Sequence, residues 1–161
     1  MKNFSKLVFT ALFVLAVAPA FSQFSGGLDI GIPNGNWSTF YSTGFGASVR
    51  YEAPIQDKLN WTVSGGFLSY SVKSAYGSGS VSFVPITGGI KYYFQESNSG
   101  FYAGADLGLY FISGSGASEN KFGFAPAIGY RVNTWDFTFR FNSVADANFL
   151  GLRAAYVFAS K

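Results

Sequence analysis

Hydrophobic and polar positions alternate along most of this chain with a period of two. In Thr134 to Phe141, read TWDFTFRF, the residues Trp135, Phe137, Phe139 and Phe141 fall on one side of a strand, and Thr134, Asp136, Thr138 and Arg140 fall on the other. Phe101, Ala103, Ala105, Leu107, Leu109 and Phe111 likewise oppose Tyr102, Gly104, Asp106, Gly108 and Tyr110. The pattern predicts eight strands: Phe24 to Ile32, Thr43 to Glu52, Leu59 to Val72, Val81 to Phe94, Phe101 to Ser113, Lys121 to Val132, Trp135 to Asn142 and Phe149 to Phe158. No stretch of the mature chain shows a convincing helical period, and most strands are near the roughly 9–11 residues that a tilted membrane strand requires.

The polar faces decide which side meets water. They are mostly Gly, Ala, Ser and Thr with one or two charges per strand, whereas a solvated face would carry more Lys and Glu. Small residues suit the interior of a narrow eight-stranded barrel, so the aromatic face is expected to look outward into lipid. Aromatic residues also gather at one end of nearly every strand, at Tyr51, Trp61, Tyr92, Phe94, Phe101, Tyr130, Trp135, Tyr156 and Phe158, the arrangement of a membrane-interface girdle. In hydrocarbon each unpaired backbone group costs several kcal/mol, so the sheet must close and strand eight must pair with strand one.

An even-stranded barrel with periplasmic termini then has periplasmic turns at Ala53 to Lys58, Gln95 to Gly100 and Asn133-Thr134. Its external loops are Pro33 to Ser42, Lys73 to Ser80, Gly114 to Asn120 and Ser143 to Asn148, two of them bordered by flexible Gly/Ser runs. Two features conflict with a regular ladder. Pro85 and Pro126 lie inside strands, where a missing N–H predicts bulges or fraying, and Leu68, Tyr70 and Val72 fall on the inward face.

The N-terminus adds a compartment. Lys2 and Lys6 precede an apolar run from Leu7 to Ala18, and Pro19-Ala20-Phe21-Ser22 ends in small residues, which reads as a secretory signal over 1–22 followed by one domain over 23–161. The run is too short for a membrane-spanning helix, which needs about 20 apolar residues. Without Lys2 and Lys6 the 11 basic residues fall to nine against eight acidic, so no basic footprint for nucleic acid remains.

Composition bears on chemistry mostly by exclusion. Aromatics make up 20% of the chain and charged residues 12%, well below the roughly 25–35% charge of a soluble surface. Cysteine and histidine are absent, which removes disulfides, His-based triads and the commonest metal ligands; no cofactor or metal site is expected. Ser48, Ser64 and Thr87 could face Glu52 or Asp29 as hydroxyl–carboxylate pairs, but such residues are ordinary in a polar barrel lining, and no enzymatic activity is expected.

The charges that the register turns inward are Asp29, Arg50, Glu52, Lys91, Asp106, Arg131, Asp136, Arg140 and Arg153. Buried charges must be paired to be tolerated, so a salt-bridged, largely plugged lumen is expected. The alternative is a narrow gated pore for ions or small solutes, with a soluble lipocalin-like ligand-binding barrel third. Among the loops, Asn36 to Tyr41 (NWSTFY) carries exposed aromatic surface suited to anchoring in the outer leaflet. The triplets Asn36-Trp37-Ser38 and Asn60-Trp61-Thr62 match a glycosylation pattern that carries little weight in a bacterial chain.

The stretches GIPNGNWSTFYSTGFGASVRYEAPIQDKLNWTVSGGFLSYS, FVPITGGIKYYF, FAPAIGYRV and FLGLRAAYVF resemble the small outer-membrane β-barrel domain proteins common in Bacteroidota, and the Ser22-Gln23 pair resembles exports of that group. The likeness spans the mature chain and includes the strand prolines. It implies an eight-stranded antiparallel up-and-down transmembrane barrel in the outer membrane of a Gram-negative bacterium, monomeric, with a structural or interaction role. The implied partners are outer-membrane lipids and the outer-membrane assembly machinery, with no ligand indicated. The chain departs from the pattern in ending Ala159-Ser160-Lys161 after Phe158, where such strands usually finish on the aromatic residue.

Overall fold

The computed structural model describes residues 22–95, 98–114, 117–145 and 147–158. The secretory signal expected over 1–22, except its last residue, and the three residues after Phe158 lie outside them. The elements in order are β1 (Gln23–Asn34), a one-turn helix α1 (Trp37–Phe40), β2 (Gly44–Gln56), β3 (Leu59–Ser71), a 3-10 turn (Ser74–Tyr76), β4 (Ser80–Tyr93), β5 (Gly100–Gly114), β6 (Ala117–Val132), β7 (Trp135–Val144) and β8 (Ala147–Phe158). Each strand pairs antiparallel with its neighbours, and β8 returns to β1 from Phe24↔Phe158 to Asn34↔Asn148, closing the barrel. No edge is left for water or another chain to satisfy.

Six of the eight strands extend past their expected ends on the loop side, while β2 and β3 stop one residue short there. β6 starts at Ala117, four residues before Lys121, and its first residues pair with the end of β5 from Phe111↔Asn120 to Gly114↔Ala117. Hydrogen bonding continues there although Ser118, Glu119 and Asn120 carry no apolar signal. The helix α1 corrects the expectation of no helix; four residues are too few to display a period.

The prolines correct a second expectation. Around Pro85 the β3–β4 ladder skips between Gly65↔Ile86 and Leu68↔Phe83 without changing register, while Pro85 still pairs with Tyr110 on β5. Around Pro126 the β6–β7 ladder skips between Phe124↔Ser143 and Ala127↔Arg140, while Ala105↔Pro126 is kept. A proline lacks one donor, toward one neighbour, so a gap on one side replaces the bulge or fraying expected. The register shift in β2–β3 falls instead between Pro54 and Gln56, beside the Asp57-Lys58 turn, where Lys58 has φ 67°.

Exposure is inverted relative to a soluble protein. Leu28, Phe45, Phe101 and Ile128 are more than 60% exposed, whereas Arg50, Glu52, Lys91 and Arg131 are under 5%. In TWDFTFRF the rings of Trp135, Phe137 and Phe139 point out, and Asp136 and Thr138 are buried.

An apolar cluster also lies inside the barrel. Leu68, Tyr70, Val81, Phe83, Tyr110, Val144 and Phe149 pack together toward the loop end. Tyr70 is accommodated because Gly31 and Gly44 lie against its ring and hydroxyl, where a Cβ would collide. Gly44→Ala is expected to destabilise the barrel by about 1–3 kcal/mol through overpacking, since Tyr70 is fully buried and cannot yield. A fall in the urea midpoint at unchanged slope would register it.

Candidate functional site: the barrel lumen

The inward charges assemble into tiers. Nearest the two-residue turns, β2, β4, β6 and β7 bring Glu52, Lys91, Arg131 and Asp136 together. Lys91 Nζ lies 2.7 Å from Asp136 and 3.1 Å from Glu52, and Arg131 Nη2 lies 2.8 Å from each carboxylate. Tyr93 and Asn60 donate to Glu52 Oε1 at 2.8 and 2.7 Å, and the Tyr102 and Thr138 hydroxyls reach Asp136 Oδ1 at 2.8 and 2.9 Å. The Lys91 ammonium sits 4.1 Å from the Tyr102 ring centroid, adding cation–π attraction. Two cations, two anions and their donors form a neutral network in which every charge is paired, the condition under which buried charge is tolerable, and Asn60 Oδ1 is left without a partner at its edge.

The next tier is one pair. Arg50 Nη2 lies 2.7 Å from Asp106 Oδ2, and Thr62 donates to Asp106 Oδ1 at 3.1 Å. Beyond it Asp29 takes Ser48 Oγ at 2.5 Å and Arg140 Nη2 at a loose 3.5 Å. Arg153 meets no carboxylate among the described residues; its Nε donates to Ser48 at 2.8 Å and its Nη2 to Ser25 Oγ at 3.2 Å. A cavity of about 20 Å³ remains at this level, lined by Asp29, Ser48, Ser64, Thr87, Arg140 and Asn142 among others.

Above the cavity the apolar cluster fills the bore, and α1 caps it. Trp37 packs its ring on Tyr70 at 4.7 Å and on Phe83 at 5.1 Å between centroids. The ion-pair tiers, the cavity and the aromatic cluster thus follow one another along the bore. The mouth outside Trp37 holds a separate pocket of about 200 Å³ between the loops.

All nine charged residues read as inward face the lumen, but in separate groups: four in the lowest tier, two in the middle, and Asp29, Arg140 and Arg153 above. The hydroxyls considered for chemistry all border the small cavity but bond to different partners. Ser48 holds Asp29, Ser64 and Thr87 bond each other at 2.8 Å, and Glu52 meets none of the three. Among the described residues no group of three or more Asp and Glu side chains could hold a metal ion.

The nine aromatics predicted for the girdle ring the end that carries the two-residue turns and the chain termini. Adjacent rings touch along it: Tyr51 and Trp61 at 5.3 Å, Tyr92 and Phe94 at 5.8 Å, Phe101 and Tyr130 at 4.7 Å, Trp135 and Tyr156 at 5.8 Å, Tyr156 and Phe158 at 5.2 Å. Tyr51 differs in being covered, by Trp61 and by Phe24 at 4.9 Å, a ring outside the predicted set.

Sequence reasoning missed the inner plug. Phe83 and Phe149 have the parity of Lys91 and Arg153 on their strands, so alternation alone would have turned them inward; the misfit of Leu68 and Tyr70 was its visible sign. Val72, grouped with them, lies beyond β3 in an isolated bridge to Tyr41.

No protein-family model matches the chain, and no curated protein sequence is similar to it. Its fold matches solved outer-membrane barrels. Ail, the attachment invasion locus protein of Yersinia pestis, superposes with a TM-score of 0.56 at 15% identity, over 85% of this chain and 97% of that one. Neisserial surface protein A gives 0.58 at 19%, over 84% and 94%, and OprG from Pseudomonas aeruginosa gives 0.52 at 12%, over 88% and 97%. At these identities the likeness is one of fold: the chain is a closed, eight-stranded, antiparallel up-and-down β-barrel of the outer-membrane architecture.

Proposed function

We propose that the chain is an integral outer-membrane protein of a Gram-negative bacterium, of the Bacteroidota type, serving as a closed, non-conducting scaffold with a structural or interaction role. One observation carries this reading: a continuous apolar exterior surrounds a lumen blocked by ion-pair tiers and an aromatic plug. Such an exterior suits hydrocarbon, where only a closed ladder satisfies the backbone.

The termini are assigned to the periplasm because the connections at their end run to at most six residues, whereas the other end carries α1 and the 3-10 turn in connections of nine and eight residues. There Phe40 and Tyr76 stack edge-on at 5.0 Å, both about half exposed, and Lys73 Nζ ties the two loops by donating to Ser38 O. This surface is the one offered to the outer leaflet or to an external partner. Catalysis is no part of the proposal, because Ser48, Ser64 and Thr87 are spent on other partners. The barrel acts as a monomer, with outer-membrane lipids and the assembly machinery as its partners.

Planar-bilayer recording of the purified protein is expected to show no discrete conductance steps. Trp37→Ala is expected to stay silent too, because the ion-pair tiers beneath α1 still block the bore. Discrete steps in the wild type, lost on neutralising Arg140 or Arg153, would replace the scaffold with the narrow pore.

A further inference from the structure

The lumen charges do not balance, and the imbalance is local. The lowest tier is neutral and so is the Arg50–Asp106 pair. In the upper tier two guanidiniums, Arg140 on the cavity wall and Arg153 behind Ser48, accompany one carboxylate, Asp29. Arg153 is 3% exposed and its Nη1 has no hydrogen-bond partner. An uncompensated buried cation is costly, and the usual remedy is a counter-charge.

The cavity wall carries an orphan of its own. Asn142 is 2% exposed and its Oδ1 accepts from Tyr110 OH at 3.1 Å, which orients the amide; its Nδ2 is then a buried donor with no partner. Arg140 lines the same cavity and makes only the 3.5 Å contact with Asp29. The Ser64 and Thr87 hydroxyls border it, and one of the two can turn its proton into the space. The volume of about 20 Å³ exceeds the roughly 10–15 Å³ that one water needs.

We infer that this cavity is a binding site for a small monovalent anion of the halide class, held by Arg140 and the Asn142 amide and neutralising the surplus charge shared with Arg153. Donors outnumber acceptors at the site. Asp29 also lines it, but Ser48 and Arg140 engage that carboxylate, and two cations outweigh it. The ion completes the lumen's charge balance.

Bromide is the probe. Wild-type protein purified in gluconate and exchanged into bromide at constant ionic strength is expected to give an anomalous-scattering peak between Arg140 and Asn142. The temperature at which the folded band shifts in SDS gels is expected to rise saturably with bromide. Asn142→Leu removes the amide donor, and half of that rise should then require roughly tenfold more bromide or above. A cavity without a peak, occupied by water and with no saturable rise, overturns the inference. So do peaks confined to exposed lysines, which mark an adventitious ion only, and an Asn142→Leu response equal to wild type. Should that variant fail to fold, the wild-type peak and titration decide alone.

Discussion

Asp136→Ala is expected to cost about 3–5 kcal/mol of folding stability, the typical loss when one partner of a buried ion pair is removed. The size follows from what remains. Lys91 and Arg131, both under 5% exposed, would share Glu52 alone, and the Tyr102 and Thr138 hydroxyls would lose their common acceptor. Asp136→Asn keeps the shape and removes the charge, so it separates an electrostatic loss from a packing loss. It is expected to recover only a small part of the deficit. Reversible urea unfolding in lipid vesicles measures both variants, and a loss below about 1 kcal/mol would mean the network is wet enough to screen itself.

Leu28→Arg is the second large effect, and it acts from the other side of the wall. Leu28 is 73% exposed in the middle of β1, next to the buried Asp29. In water a substitution at such an exposed position stays within about 0.5 kcal/mol. At a bilayer midplane a cationic side chain on the lipid face costs about 2–4 kcal/mol. The same unfolding measurement in vesicles therefore reports which medium the aromatic exterior occupies. A neutral result would turn that exterior into a docking or ligand surface and remove the membrane proposal.

Strand parity was legible in the sequence because its period is two and the barrel has only two faces. Asp136 between Trp135 and Phe137, or Arg153 between Leu152 and Ala154, could be assigned to a face without knowing any partner. Tier membership was not legible. Which charges meet across the bore depends on the stagger between strands, and Lys91 finds Asp136 from a position 45 residues away in the chain. The plug was missed although parity turns Phe83 and Phe149 inward: what makes them a plug is Trp37, which covers them from a helix too short to predict. Pro85 misled in the opposite direction, since the ladder tolerates a one-sided gap that the sequence cannot distinguish from a bulge.

Most of the charged contacts inside the barrel join residues far apart in sequence, and several cross the seam between the first strand and the last. Arg131 reaches Gln23, Arg140 reaches Asp29, and Arg153 reaches Ser25 and Ser48. A chain that has laid down only its early hairpins therefore holds Gln23, Ser25 and Asp29 without the partners that β6, β7 and β8 bring. In hydrocarbon a sheet left open, or joined a step out of register, would carry that stranded charge with it, so closing the ladder and pairing the lumen are one event. The lumen would then serve as a checksum on closure, written in side chains that the closed barrel turns away from its surroundings.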